Sequence, residues 1–156
     1  MEIKILFLDV DGVLNTIDSK GRLICKNGDL YELNINNNRI KLLKKIIDDT
    51  NCKIVLTSTW RTKYIACNKL EKKLKYKNIE IFDYTPILGE KSMRGEEIKS
   101  WLYQYKQKMN IHLIKYAILD DDDMFLDEQL NFFIKTDPFI GLTNENVENI
   151  IKILNS

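Results

Sequence analysis

Apolar and polar positions alternate in blocks along this chain. Residues 3–8, IKILFL, are nearly continuous apolar, the pattern of a parallel strand buried on both faces. Similar short runs recur as KIVLT (53–57), IEIFDY (79–84), YAIL (116–119) and FFIKT (132–136). Between them, apolar residues return at helical spacing in NNRIKLLKKIIDDT (37–50), in roughly 62–76, in RGEEIKSWLYQYKQKM (94–109) and in NENVENIIKIL (144–154). Strand and helix in repeated alternation predict a three-layer, Rossmann-like α/β domain, with a mainly parallel five-stranded sheet and helices on both faces.

The first strand-to-helix connection breaks the rhythm. Residues 15–36 are too many, and too rich in turn signals, for a simple loop. Within them RLICKNGDLYEL sets two short β-like runs around Asn27-Gly28, a strong two-residue hairpin signal. The expectation is a small flap at the mouth of the sheet. At 156 residues, with no internal repeat or low-complexity linker, the chain reads as a single domain, and a monomer is favoured.

Composition narrows the class without choosing a partner. A hydrophobic content of 44% with 30% charged residues fits a soluble globular protein. A net charge of +1 leaves global electrostatics silent about nucleic acid or membrane. Cys25, Cys52 and Cys67 are odd in number and lack C-x-x-C spacing, which argues against a disulfide framework and a zinc site. They read as reduced thiols of a cytoplasmic protein. The N-terminal apolar run is too short for a signal peptide or a membrane span.

In open α/β sheets ligands bind beyond the carboxyl ends of the strands, so the residues where each apolar run stops carry the chemistry. The first run ends at Asp9 and Asp11, two positions apart and directed to one side, followed by Gly12, which can take the positive φ of a tight exit. The second ends at Thr57, Ser58 and Thr59, ahead of a helix whose N-terminal amides favour an anion. Lys91 and Arg94 stand before the third helix, and the fourth run ends in Asp120 to Asp123. Carboxylates, hydroxyls and a cation at one sheet edge make a phosphoryl-transfer set. Asp9 and Asp120, with Asp121, suit Mg²⁺, which takes oxygen ligands from one or two carboxylates, water and substrate phosphate. A carboxylate can also attack phosphorus and divide one difficult hydrolysis into two steps, while Asp11 protonates the leaving oxygen and then deprotonates water.

Simpler roles compete at several positions. Thr57 and Thr59 can serve as helix caps, Trp60 as packing, and Asp122 and Asp123 as a solvated acidic loop. Arg61 can reach phosphate or pair with a nearby acid. Lys63, Lys69, Lys72, Lys73, Lys75 and Lys77 resemble a nucleic-acid footprint, but Tyr64, Cys67, Leu70 and Leu74 at helical spacing favour a plain solvated face. His112 has no metal-ligating neighbour and receives no role.

With these residues in view, the chain resembles the haloacid dehalogenase-like (HAD) phosphohydrolase superfamily. FLDVDGVLN is similar to its first motif, IVLTS to its second and YAILDDDD to its fourth. A closer resemblance, through LTSTWR, RGEEIKSWL, YAILDDDDM and TDPFIGLT, is to the HAD domain group of Swiss Army Knife RNA repair proteins. The resemblance implies a Mg²⁺-dependent phosphomonoesterase with Asp9 as nucleophile and Asp11 as general acid/base and metal ligand through its backbone carbonyl. It further implies Thr57 or Ser58 as phosphate-binding hydroxyl, and Asp120 and Asp121 as metal ligands. The superfamily places a lysine at its third motif; here Lys91 and Arg94 both stand as candidates. Many HAD enzymes carry a large cap, and only the 15–36 flap could serve here. The more open site this implies suits a polynucleotide end, RNA or DNA, better than an enclosed metabolite. Nucleotides or other small phosphorylated metabolites are the alternative substrates. A phosphoacceptor signalling module is a further alternative, although its phosphorylated Asp ends a middle strand and its acidic cluster the first, the reverse of the order here.

Overall fold

The computed structural model describes residues 2–18, 20 and 35–156. Among the described residues there are five strands: β1 (Ile3–Leu8), β2 (Lys53–Leu56), β3 (Ile81–Tyr84), β4 (Ile114–Asp120) and β5 (Phe133–Lys135). Four α-helices accompany them there: α1 (Asn37–Thr50), α2 (Tyr64–Lys75), α3 (Arg94–Met109) and α4 (Asn144–Asn155). All strand pairs are parallel, in the order β3-β2-β1-β4-β5. This is the predicted Rossmann-like α/β sheet.

β1 and β2 start where their apolar runs begin, whereas β3 and β4 start where pairing and turns allow. Ile79 lies in the predicted third strand, but its N–H closes the end of α2 on Leu74 O at 3.2 Å, and pairing begins at Ile81. β4 starts two residues earlier than the apolar run, because it pairs with β1 from Ile3↔Ile114 to Leu8↔Leu119. The second helix starts at Tyr64 rather than near 62, because Thr59–Thr62 form a separate 3-10 turn capped by Ser58.

Alternation along the strands builds two cores. Leu6 and Leu8 face one side, with Ile54, Leu56 and Leu119, under α1, α2 and α4. Ile5 and Phe7 face the other, with Val55 and Ile118, under α3 through Ile98 and Trp101. The chain runs outward from β1 through β2 to β3, then crosses to β4 on the other side of β1. Right-handed crossovers in these two opposite directions put α1 and α2 on one face and α3 on the other. The reversal of strand order at β1 opens a crevice at its carboxyl end, where ligands of such sheets bind.

The 15–36 excursion leaves and returns at one point: Asn36 N–H donates to Leu14 O at 3.1 Å. The hairpin expected around Asn27-Gly28, and Cys25 with it, lie outside the described residues. Among the described residues, no helix is long and apolar enough to cross a membrane.

Candidate active site

Asp9 follows β1 directly, is buried, and is tied to the sheet by its N–H on Leu119 O at 3.0 Å. The next residues turn sharply through Gly12 at φ 76°. Glycine is required here twice over, because a Cβ at this position would lie 2.5 Å from Asp121 Oδ2. The turn therefore lets the carboxylate after β4 come against the loop after β1.

Three carboxylates meet at this point. Oxygens of Asp9, Asp120 and Asp121 lie within 4.8 Å of one another, with Asp9 and Asp120 buried. Arg94, the first residue of α3, reaches into the group: its Nη1 is 2.6 Å from Asp120 Oδ2 and 3.0 Å from Asp9 Oδ1. Gly95 makes this approach possible. A Cβ there would stand 2.8 Å from Leu126 N and 2.5 Å from Gln129 Oε1, so only glycine lets the start of α3 rest on the segment after β4. Of the two third-motif candidates, Arg94 makes these contacts, whereas Lys91 is exposed.

One guanidinium does not neutralise three acids. Burial, then the Asp120 charge, pushes the Asp9 carboxyl up to about 8, against the opposing pull of Arg94. Asp121 is raised to about 6, again by burial and then by Asp120. Burial works against the Arg94 charge too, but Asp9 and Asp120 outweigh it and hold the guanidinium above its ordinary value. An oxygen-only donor set with excess negative charge fits a hard divalent cation such as Mg²⁺.

This imbalance has a pH signature. A carboxyl with a higher pKa in the folded than in the unfolded chain contributes stability at low pH that is lost as pH rises through the folded value. For Asp9 that window runs from 3.8 to about 8, with Asp121 losing its share by about 6. In EDTA the site should therefore weaken the fold as pH rises across this window, and millimolar Mg²⁺ should cancel the effect. Thermal midpoints measured with and without Mg²⁺ are expected to diverge toward pH 8. A gap independent of pH would contradict the charge imbalance.

Asp11 begins the turn and does not belong to the carboxylate cluster. Its Oδ1 accepts two hydrogen bonds, from Asn15 Nδ2 at 2.8 Å and from Trp60 Nε1 at 2.9 Å. Asn15 Oδ1 in turn accepts from Gly12 N at 2.9 Å. Trp60 is thus more than the packing residue read from sequence, since its indole N–H orients an acid 49 positions away.

The hydroxyls after β2 separate by role. Ser58 Oγ accepts from Trp60 N at 3.2 Å and caps the 3-10 turn, the task considered for Thr57 and Thr59. Thr57 Oγ1 is, among the described residues, the one buried side-chain polar atom with no hydrogen-bond partner. Such an orphan is costly unless a ligand completes it.

Of the two roles open to Arg61, the structure shows the pairing. Its Nη2 is 2.6 Å from Glu97 Oε2, with both side chains almost fully enclosed. The same guanidinium donates to the carbonyls of Thr57, Ser58 (2.9 Å) and Thr85 (3.0 Å). Arg61 therefore clamps the loop that carries Thr57 and Ser58. Glu97 escaped the sequence reading; its only signal was an acid inside RGEEI. Asp123, 2.5 Å from Lys135, is exposed like Asp122, as the solvated-loop reading expected.

Among curated proteins none matches the chain significantly. A family model does, and its span of residues 5–147 takes in the acids after β1 and β4, the hydroxyls after β2 and Arg94. With that match over most of its length, and the parallel sheet that gathers these residues at one edge, the chain belongs to the family of HAD domains in Swiss Army Knife RNA repair proteins.

Proposed function

We propose that this chain is a phosphomonoester hydrolase in which Asp9 carries the phosphoryl group, with a polynucleotide end as the favoured substrate, as for a 3′-phosphatase of nucleic-acid repair. The observation that carries the reading is the juxtaposition of the buried Asp9 with Asp120, Asp121 and Arg94. The nucleic-acid part is supported by the family to which the chain belongs.

Asp9 attacks phosphorus while the bond to the leaving oxygen breaks, and Asp11 gives that oxygen its proton. Asp11 then takes a proton from the water that cleaves the aspartyl-phosphate, which restores both carboxyls. Arg94 and the Thr57 hydroxyl hold phosphoryl oxygens, and Arg61 keeps Thr57 in place through its backbone carbonyl. Mg²⁺ held by Asp9, Asp120, Asp121 and the Asp11 carbonyl would neutralise charge developing on the phosphoryl group.

Purified protein is expected to hydrolyse a generic aryl phosphate with Mg²⁺ and to lose that activity in EDTA. Activity unchanged in EDTA would remove the metal from the reaction. For substrate, 3′- and 5′-phosphorylated RNA and DNA oligonucleotides should be turned over with higher kcat/KM than free nucleotides and sugar phosphates. A preference for a free sugar phosphate would overturn the polymer-end reading.

The two hydroxyls should part company in a paired substitution. Thr57→Val removes an unpartnered group and should leave the thermal midpoint unchanged or raise it while lowering kcat/KM about tenfold, the value of one hydrogen bond to a charged group. Ser58→Ala removes a cap and should cost about 1 kcal/mol of stability. The reverse pattern would assign phosphate to Ser58.

A further inference from the structure

A polynucleotide end can be held only if the strand behind it has somewhere to lie, and α2 provides a surface with the required chemistry. Its apolar side, Ala66, Leu70 and Leu74, is buried against the sheet. Tyr64, Lys69, Lys72, Lys75 and Tyr76 point the other way, within a sector of roughly 140° at 100° per residue. The helix starts just past the 3-10 turn that follows Thr57 and Ser58, so this face begins beside the site and leads away from it.

Two features set the face apart from ordinary solvated lysines. On α1 two of the three lysines are paired, Lys44 with Asp48 and Lys45 with Asp49 at 2.5 Å. Among the described residues Lys69, Lys72 and Lys75 have no such pair, and Glu71, the sole acid of α2, bonds the Tyr84 hydroxyl instead. Moreover, both tyrosines are almost bare, Tyr64 at 83% and Tyr76 at 89% of full exposure. Exposed aromatic rings gain nothing from the fold, and each borders a depression. One of about 390 Å³ includes Arg61, Thr62, Tyr64 and Asn68, and the other, about 320 Å³, includes Lys72, Lys75 and Tyr76 among the described residues.

We propose that the outer face of α2 is the track for a single-stranded polynucleotide whose phosphorylated end enters the Asp9 site, with the three lysines on phosphates and the two tyrosines stacking on bases. The proposal deepens the polynucleotide-end reading and rests on it. Unpaired cations between exposed rings are a combination that binds single strands without sequence preference. A helix of 12 residues, about 18 Å long, can follow several phosphates.

The test separates the track from the activity. Anisotropy of a labelled single-stranded oligonucleotide without a terminal phosphate measures binding to the full chain, with RNA and DNA as separate arms. Lys69→Gln/Lys72→Gln/Lys75→Gln should weaken binding and flatten the dependence of log K on log salt by about 2, since each phosphate left without its lysine removes ~0.7 from the slope. Tyr64→Ser and Tyr76→Ser should each weaken it by about 5- to 100-fold. In all three variants kcat/KM for an aryl phosphate should stay unchanged, which also certifies the fold, whereas kcat/KM for a 3′-phosphorylated oligonucleotide should fall through KM. Binding as tight in the variants as in the unaltered protein would overturn the track. So would equal affinity for an acidic peptide of the same length, since such a ligand has no bases to stack. If the oligonucleotide binds as expected but its terminal phosphate is never removed, the track stands and the polynucleotide-end reading fails.

Discussion

Asp9→Asn is expected to lower turnover of an aryl phosphate by about a thousandfold or more while leaving the protein folded and, without metal, more stable. The two effects share one cause. The amide has nearly the shape of the carboxylate but no anionic oxygen to attack phosphorus, so the covalent step is lost. It also carries no charge, so the burial and the Asp120 repulsion that push the Asp9 carboxyl up to about 8 no longer act on it. A higher thermal midpoint in EDTA, together with lost activity, separates removal of the nucleophile from damage to the fold. Activity equal to that of the unaltered protein would sink the covalent mechanism.

Arg61→Met is expected to act through the opposite balance. The guanidinium is enclosed with Glu97 and is shared by the carbonyls of Thr57, Ser58 and Thr85. Methionine fills much of the volume but leaves Glu97 buried and unpaired, with Ser92 Oγ at 3.2 Å as its remaining side-chain partner. Breaking a buried pair from one side costs about 3–5 kcal/mol. For a chain of this size, that corresponds to a drop in thermal midpoint on the order of 10 °C. Activity should fall at temperatures where the protein is still folded, because the loop holding Thr57 loses its clamp. The double replacement Arg61→Met/Glu97→Leu should recover much of the stability, since it removes both charges together. A single variant as stable as the parent would show that the pair contributes little.

How far the chain could be read without its structure varies by residue. The limits of α1 and α3 follow from local signals. The Asn36 side chain accepts from Asn38 N at the start of α1, and Asn51 takes the left-handed conformation at its end. Asp9, Asp11, Asp120 and Asp121 stood out because each follows an apolar run, and a parallel sheet brings such ends together whatever the details of packing. The choice between Lys91 and Arg94 had no such support. Both stand at the approach to α3, Lys91 ahead of it and Arg94 as its first residue, and only the close approach at Gly95 aims Arg94 at Asp120, 26 positions away.

The same division runs through the whole protein. By itself, the sequence determined the alternation of strands and helices, the parallel sheet and the gathering of acids and hydroxyls at one edge. These depend on periodicity and chain order, which are local properties. The tertiary structure alone decided that Arg61 clamps a loop through Glu97, that Trp60 and Asn15 fix Asp11, and that Thr57 rather than Ser58 is left without a partner. The first two outcomes turn on hydrogen bonds 2.6 to 2.9 Å long, two of them between residues 36 and 49 positions apart, and the third on the 3.2 Å bond that Ser58 Oγ accepts. Whether a side chain reaches such a distance depends on how helices seat on the sheet, and a linear pattern does not encode that.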